Sequence, residues 1–277
     1  MGIVGLVVVI DQYEPVLRRL GLVTLDQVRA FQGSLVKNHR GRRDILRIDT
    51  TTEKGDPLVL FLKRILKPYR KDGLASLLSS GRVRSQSRQE WDNSRILLKY
   101  DIPVARPVAY GESCGLLWEH FSYLITEAAT GSVTLDTFLR SCPDTATRQV
   151  VLSEMARLVR RLHDAGLASP DLLGRHVFLN LQTATHGFCL IDMARLDQFQ
   201  RTPLRLRARD LASLHVSIPK ASASTEERDT FLTQYCGEDF STTRILPLIR
   251  HRTRHLLSQR RHRIPFFNLD LQGQPRT

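Results

Sequence analysis

The chain has little to build a disulfide or a zinc site from. Its four cysteines, Cys114, Cys142, Cys189 and Cys236, are widely scattered, with no C-x-x-C pair and no histidine at metal-ligand spacing. That argues against structural zinc and for reduced thiols in a cytosolic protein. No apolar run is long enough to span a bilayer, because the opening MGIVGLVVVI is stopped by Asp11. The same stretch lacks the basic leader and small-residue cleavage site of an export signal. It also fails the myristoylation pattern, since Leu6 stands where Ser or Thr is required. A buried strand or an unstructured leader is what remains for it. No internal repeat or low-complexity segment is evident, which sets aside repeat architectures.

What the chain does have is enough apolar material to fold. With 277 residues, 42% of them hydrophobic, it can bury a large core as one large domain or two lobes. Its 41 Lys and Arg against 28 Asp and Glu leave a formal net charge of +13, which favours polyanionic partners such as phosphates, nucleic acid or an anionic membrane face. The run RHRTRHLLSQRRHR (250–263) concentrates that charge. It reads as a solvated helix face or as a contact for anionic lipid headgroups or a phosphorylated glycolipid. Nucleic acid is not expected as a partner, because the run has no interleaved aromatics and no nucleic-acid motif accompanies it.

Periodicity divides the chain. From about residue 26 to residue 66, apolar and polar residues alternate between punctuating glycines, the pattern of an antiparallel meander. Residues 84–100 place Trp91, Ile96, Leu97 and Tyr100 among charges, as an amphipathic helix does, and the two prolines of DIPVARPVAYGE then enforce extended chain. SYLITEAA reads as a further strand. After residue 134, TLDTFLRSC and RQVVLSEMARLVRRLHDAG are helical, the second ended by Gly166, and GFCLIDMARL is a short buried strand with an exit loop. A strand-rich first half containing a helix, followed by a helical second half, implies two lobes of α+β type.

Certain residues are oddly placed for folding alone. Lys63 lies in LVLFLKRIL, a strand otherwise too apolar to want a cation on its inner face. Glu90, on the next helix, can pair with it, and Asp192 follows the apolar strand FCLI. Asp171 and His176 sit in ASPDLLGRHVFLN, between a helix and a strand. Each has a plain structural reading as a solvent-facing lysine, a solvated glutamate, a turn cap or a packed histidine. Their common order is that of a phosphoryl-transfer core, which needs a cation on the phosphates, metal ligands, and a carboxylate beside the attacking hydroxyl.

The segments FLKR, SRQEWDNSRILLKYDIPVARPVAYGE, SYLITEAATG, LHDAG, DLLGRHVFLN, LIDMARL and RDLASL resemble the lipopolysaccharide kinases, the Kdo and core-heptose kinases of Gram-negative bacteria. The resemblance implies a two-lobed protein-kinase-like fold. An N-terminal extension (1–24) would precede a sheet lobe (25–130) and a helical lobe (131–277) with the basic tail. It implies ATP between the lobes, bound by Lys63, Glu90 and a hinge near Glu127 to Thr130, with Asp171 as catalytic base. His176 and Asp192 would be ligands of Mg2+, with Mn2+ as the alternative, and Asp210 would brace the catalytic loop. The implied activity is ATP-dependent phosphorylation of a sugar hydroxyl in the lipopolysaccharide inner core or a related glycolipid, in the cytoplasm or peripherally on the inner membrane. Three departures stand out: Ser169-Pro170 replace the usual His-Arg, Met193-Ala194 replace Phe-Gly, and no G-x-G-x-x-G precedes Lys63. They leave open an inactive pseudokinase acting as a binding module, or a kinase of another small molecule or a protein.

Overall fold

Alternation with period two builds the first part of the molecule. In the computed structural model, which describes residues 4–69, 83–129, 131–142, 144–181, 187–219, 222–237 and 242–261, the expected meander is formed by β2 (Ser34–Asn38), β3 (Arg43–Thr51) and β4 (Pro57–Ile65). Ahead of it come β1 (Val4–Val9), α1 (Glu14–Arg19) and α2 (Leu25–Ala30). Behind it come α3 (Gln86–Lys99), β5 (Pro107–Cys114) and β6 (Glu119–Glu127). The six strands form one antiparallel sheet in the order β1-β5-β6-β4-β3-β2.

Two findings refine the sequence reading. The meander starts at Ser34 rather than near residue 26, because Thr24 and Gln27 form a reciprocal capping box that commits the intervening residues to α2. The apolar opening, assigned to an extension, contributes β1, paired along β5 from Val4↔Cys114 to Val9↔Ala109. Residues Met1 to Ile3 lie outside the described part.

The two faces of the sheet do different work. Leu46, Ile48, Leu60, Leu62, Phe121, Tyr123 and Ile125 form a core with Tyr13, Leu17, Leu22 and Val28 from the stretch between β1 and β2. The opposite face, with Tyr110 and Leu124, receives Trp91 of α3, whose ring centroid lies 5.0 Å from that of Tyr110. Ser87, Glu90, Trp91, Ser94 and Leu97 are the buried positions of α3, the three-and-four spacing of one helix face. The helix ends with Asp101 at φ 54°, where Ile102 N–H bonds Leu97 O and Asp101 N–H bonds Leu98 O. This is a Schellman stop made without glycine.

The chain divides into two compact units. One runs to Ser132 and includes Gly187–Arg195; the other comprises Val133–Leu179 and the chain from Leu196 onward. After β7 (Ser132–Thr134), the second unit contains α4 (Leu135–Ser141), α5 (Thr145–Asp164) and β8 (Leu167–Ala168). β9 (Val177–Asn180) follows, β10 (Gly187–Leu190) belongs to the first unit, and β11 (Asp197–Gln198) pairs with β8. The last helices are α6 (Leu204–Ser217), α7 (Thr225–Cys236) and α8 (Thr242–Arg261). Gly166 ends α5 at φ 79°, and there a Cβ would lie 2.1 Å from Phe199 O, so the turn and the close approach both require glycine. Leu211, Leu214, Phe231, Leu246, Ile249 and Leu257 line an apolar cleft of about 1050 Å³ within this unit. Among the described residues, no helix is long and apolar enough to cross a membrane.

The N-terminus of α3 is held by two buried carboxylates. Ser85 N–H donates to Glu112 Oε2 and Gln86 N–H to Glu119 Oε2, each at 3.2 Å, while Arg88 pairs with Glu112 at 2.9 Å. Burial pushes the Glu119 carboxyl up to about 7, against hydrogen bonds from Ser122 and Gln86 that favour the charge. The folded value lies above the unfolded one, so the native state is favoured below the ordinary glutamate range and loses that advantage as pH rises toward 7. Glu119→Gln should shrink the loss of stability between pH 5 and pH 8, by an amount on the order of 3 kcal/mol at most. Thermal melts of both proteins at the two pH values check this; an unchanged gap would remove Glu119 as its source.

Candidate active site

The alternation of β4 sends two neighbouring cations to opposite faces. Arg64 turns into the core, where it pairs with Asp44 at 2.7 Å and its Nη1 donates to the carbonyls of Val28, Arg29 and Phe31 at the end of α2. Lys63 turns to the α3 face. Its Nζ lies 2.6 Å from Glu90 Oε2 and 2.7 Å from Asp192 Oδ1. Burial alone would lower the Lys63 pKa, but the two carboxylates outweigh it and hold the ammonium above the ordinary lysine value. The side chain keeps 20% of its exposure, so a ligand can still reach the charge.

Each partner of Lys63 is fixed by a separate device. Glu90 is placed by the packing of α3. Asp192 is placed by β10, because Leu190 N–H bonds Pro103 O and Ala105 N–H bonds Leu190 O, both at 2.9 Å. The proline-bracketed segment after α3 thus serves as a docking edge. Asn93, one turn along α3 from Glu90, donates to Met193 O at 2.9 Å and Ala194 O at 3.0 Å. Asp192 itself has φ 57°, a strained conformation for a non-glycine residue, and its side chain is 47% exposed. Asn93 was missed by the sequence reading; its place three residues from Glu90, on the same helix face, was the available signal.

At the turn between β2 and β3, Arg40 and Gly41 both have positive φ, 53° and 68°, as in tight hairpins of the primed class. This turn stands where a glycine-rich loop was absent. By cross-strand register, Lys37 and Lys63 both face Ile45 from either side, so they share a sheet face. His39 lies within electrostatic reach of Lys37, Arg43, Lys63 and Asp192. Glu127, expected near the hinge, has its carboxylate engaged by Tyr13, whose hydroxyl donates to Oε1 at 2.5 Å. Thr130, the other end of the expected hinge, lies outside the described residues.

The second unit holds the loop of Asp171. Asp210, fully buried on α6, accepts the Ser169 N–H at 2.5 Å and the Arg209 Nε–H at 2.8 Å. His163, also fully buried, lies 3.4 Å from the same Asp210 oxygen through Nε2 and 2.8 Å from the Tyr235 hydroxyl through Nδ1. Burial holds its imidazole below the ordinary histidine value, so it is neutral, with Nε2–H toward Asp210 and Tyr235 donating to Nδ1. The loop then closes on itself: Asp171 N–H donates to Ser169 Oγ at 3.2 Å, and His176 Nδ1 donates to Asp171 O at 2.9 Å. That bond fixes the His176 tautomer and leaves Nε2 as an acceptor, which Arg175 Nε contacts at 3.2 Å. Asp171 and His176 are both half-buried.

A strand lysine paired with a helix glutamate, an aspartate after a short strand, and a braced Asp-containing loop define the protein-kinase-like class of phosphotransferase. The comparisons agree. A solved structure described as WaaP in complex with acyl carrier protein superimposes with a TM-score of 0.63 at 23% identity, over 93% of this chain and 97% of that one. The lipopolysaccharide core heptose(I) kinase WaaP of Pseudomonas aeruginosa is 25% identical over 76% of this chain and 79% of its own length. The 3-deoxy-D-manno-octulosonic acid kinase of Xanthomonas campestris pv. campestris (strain B100) is 33% identical over 60% of this chain and 65% of its own. Residues 26–235 match the lipopolysaccharide kinase (Kdo/WaaP) family, and the chain belongs to that family.

The Lys63 geometry generates a test. Glu90→Ala leaves Lys63 with Asp192, so nucleotide affinity should fall only partly, whereas Lys63→Ala should weaken it by about tenfold or more. The double variant should resemble Lys63→Ala alone. Fluorescent-nucleotide titration of the four proteins measures this, and losses that multiply would mean Glu90 acts independently of Lys63.

Proposed function

We propose that the chain transfers the γ-phosphoryl group of ATP to a sugar hydroxyl of the lipopolysaccharide inner core, at the cytoplasmic face of the inner membrane. The observation that carries this reading is the Lys63 ammonium held at 2.6 and 2.7 Å by Glu90 and Asp192. A cation so fixed, yet partly exposed, is positioned to meet anionic phosphate oxygens without reorganising. Lys37, His39 and Arg43 cover the phosphates from the β2–β3 turn in place of bare glycine amides.

Asp171 orients the acceptor hydroxyl and takes its proton as the oxygen bonds to phosphorus and the bond to the departing ADP breaks. Asp210 and His163 act through the loop backbone and hold Asp171 in place. Asp192, through its carboxylate, and His176, through Nε2, are each candidate ligands of Mg2+ or Mn2+. Taken separately, each has a donor suited to a divalent cation: Asp192 an exposed carboxylate, His176 an imidazole whose other nitrogen is fixed by a carbonyl. Such a cation neutralises charge on the transferring phosphoryl group.

A second reading concerns a partner. The cleft of about 1050 Å³ is leucine-rich, and the exposed Arg250 and Arg254 are among its lining residues. Since the solved WaaP is in complex with acyl carrier protein, we infer that a carrier-borne acyl chain occupies this cleft. The basic run, of which His262 and Arg263 lie outside the described residues, adds favourable charge for an anionic partner.

Two outcomes are expected. Asp171→Asn should bind ATP nearly as well as the parent protein but lose turnover by a factor on the order of 10² or more in single-turnover transfer to core glycolipid; near-normal transfer would leave Asp171 as a turn cap. Leu246→Arg, which puts a charge into the cleft, should abolish retention of acylated carrier protein in a pull-down that the parent protein passes. Equal retention by both would place the carrier elsewhere.

A further inference from the structure

The hairpin joining β5 and β6 breaks the chemistry of its own turn. Gly115 N–H donates to Trp118 O at 2.9 Å, which leaves Leu116 and Leu117 alone at the tip. A two-residue tip ordinarily takes Gly, Asn or Asp, whose backbones and short polar side chains suit it. Here both residues are leucine, 71% and 52% exposed, and Trp118 beside them is 36% exposed, with its ring edge-on to His120. Among the described residues, neither leucine belongs to the buried core of the sheet. Local rules broken without a folding benefit mark a functional surface.

Register places more on the same end of the sheet. Arg43 pairs with Ile65, Ile65 with Ser122, and Cys114 with Glu119, so the β2–β3 turn, the exit of β4 and the β5–β6 tip all emerge together. Among the described residues, the exposed cations there include Arg40, Arg42 and Lys67. Tyr69, 45% exposed, lies under the Arg42 guanidinium, 4.6 Å from ring centroid to Cζ. One end of the sheet therefore presents two leucines, a tryptophan, a tyrosine and three cations.

We propose that this end of the sheet is a membrane-contact surface, with Leu116, Leu117 and Trp118 entering the interface of an anionic phospholipid bilayer. Leucines at a tip insert among acyl chains, tryptophan and tyrosine settle at headgroup level, and cations meet lipid phosphates. The charge of the patch selects a bilayer over a second copy of this chain, which would bring like charges together. The inference deepens the glycolipid reading by naming the surface through which a chain without a described membrane span reaches a lipid-borne acceptor.

The chain's two tryptophans make the test specific, because Trp91 is 3% exposed and Trp118 is the one open to solvent. Vesicles of phosphatidylethanolamine and phosphatidylglycerol should shift the emission of the full chain to the blue, and brominated acyl chains should quench it. Trp118→Phe should lose that response. Leu116→Ser with Leu117→Ser should weaken vesicle co-sedimentation by about tenfold or more, while melting temperature and nucleotide affinity stay unchanged. Absence of the shift in the parent protein, undiminished co-sedimentation of the double variant, or a shift that follows protein concentration without vesicles would each overturn the proposal. Transfer to a detergent-solubilised core glycolipid, assayed in parallel, separates the two ideas: its absence counts against the acceptor reading, and its presence without vesicle contact counts against the tip alone.

Discussion

A lysine ammonium held by two carboxylates from different elements is the constraint around which the sheet unit is organised. Lys63 lies within 2.7 Å of both Glu90 and Asp192, and it is mostly removed from water. Removing one partner of such a pair leaves a desolvated charge behind, at a typical cost of about 3–5 kcal/mol for buried pairs. A second carboxylate makes the arrangement tolerant and sets two positions at once. The helix and the strand exit cannot drift independently while both hold the same cation. The Schellman stop at Asp101, the extended segment from Pro103 and the Asn93 contacts all serve that end. The carboxylates of Glu112 and Glu119 at the helix N-terminus fix the other end of α3, at the cost of one ionised group in a poor place for charge.

The second unit solves a different problem, that of holding a loop without the residues that usually hold it. Ser169-Pro170 replace a His-Arg pair, and Pro170 has no N–H to give. The Ser169 backbone N–H carries the bond to Asp210, and its hydroxyl caps Asp171 N–H. A histidine from elsewhere contributes: His163 reaches Asp210 from α5 and is itself fixed by Tyr235 of α7. Three helices thus converge on one buried carboxylate, which explains how the loop keeps its shape after the local motif has changed.

The sequence made local features readable and hid the non-local ones. Strand alternation, the amphipathic stripe of α3 and the glycine stop at Gly166 are consequences of a few neighbouring residues, and each appears where the pattern places it. The pairing of Lys63 with Glu90 could be expected because a cation in a strand otherwise so apolar wants a partner, and the next helix offers a carboxylate in the order a phosphoryl-transfer core requires. The α2 capping box was equally local but was masked by alternation running through it, a case of wrong period assignment. Arg64 was out of reach, because its partners are the carbonyl end of another helix and an aspartate on a neighbouring strand. The carboxylates at Glu112 and Glu119 were hidden for the same reason: they cap a helix with which they share no sequence neighbourhood.

The missing glycine-rich loop follows the same logic. Glycines allow bare amides to approach phosphate closely, but they contribute no charge and lose much freedom on folding. The turn at Arg40 and Gly41 keeps only the left-handed backbone and surrounds it with basic side chains. Cations act over longer distances than amides, so such a turn need not close tightly on its ligand to attract it. It must instead be kept from scattering, and the Arg42 anchors do this by joining the turn to the exit of β4 through Lys67 O and the Tyr69 ring. Lys37 and Lys63 share one sheet face, on either side of Ile45, so the cations of the turn and of β4 point the same way.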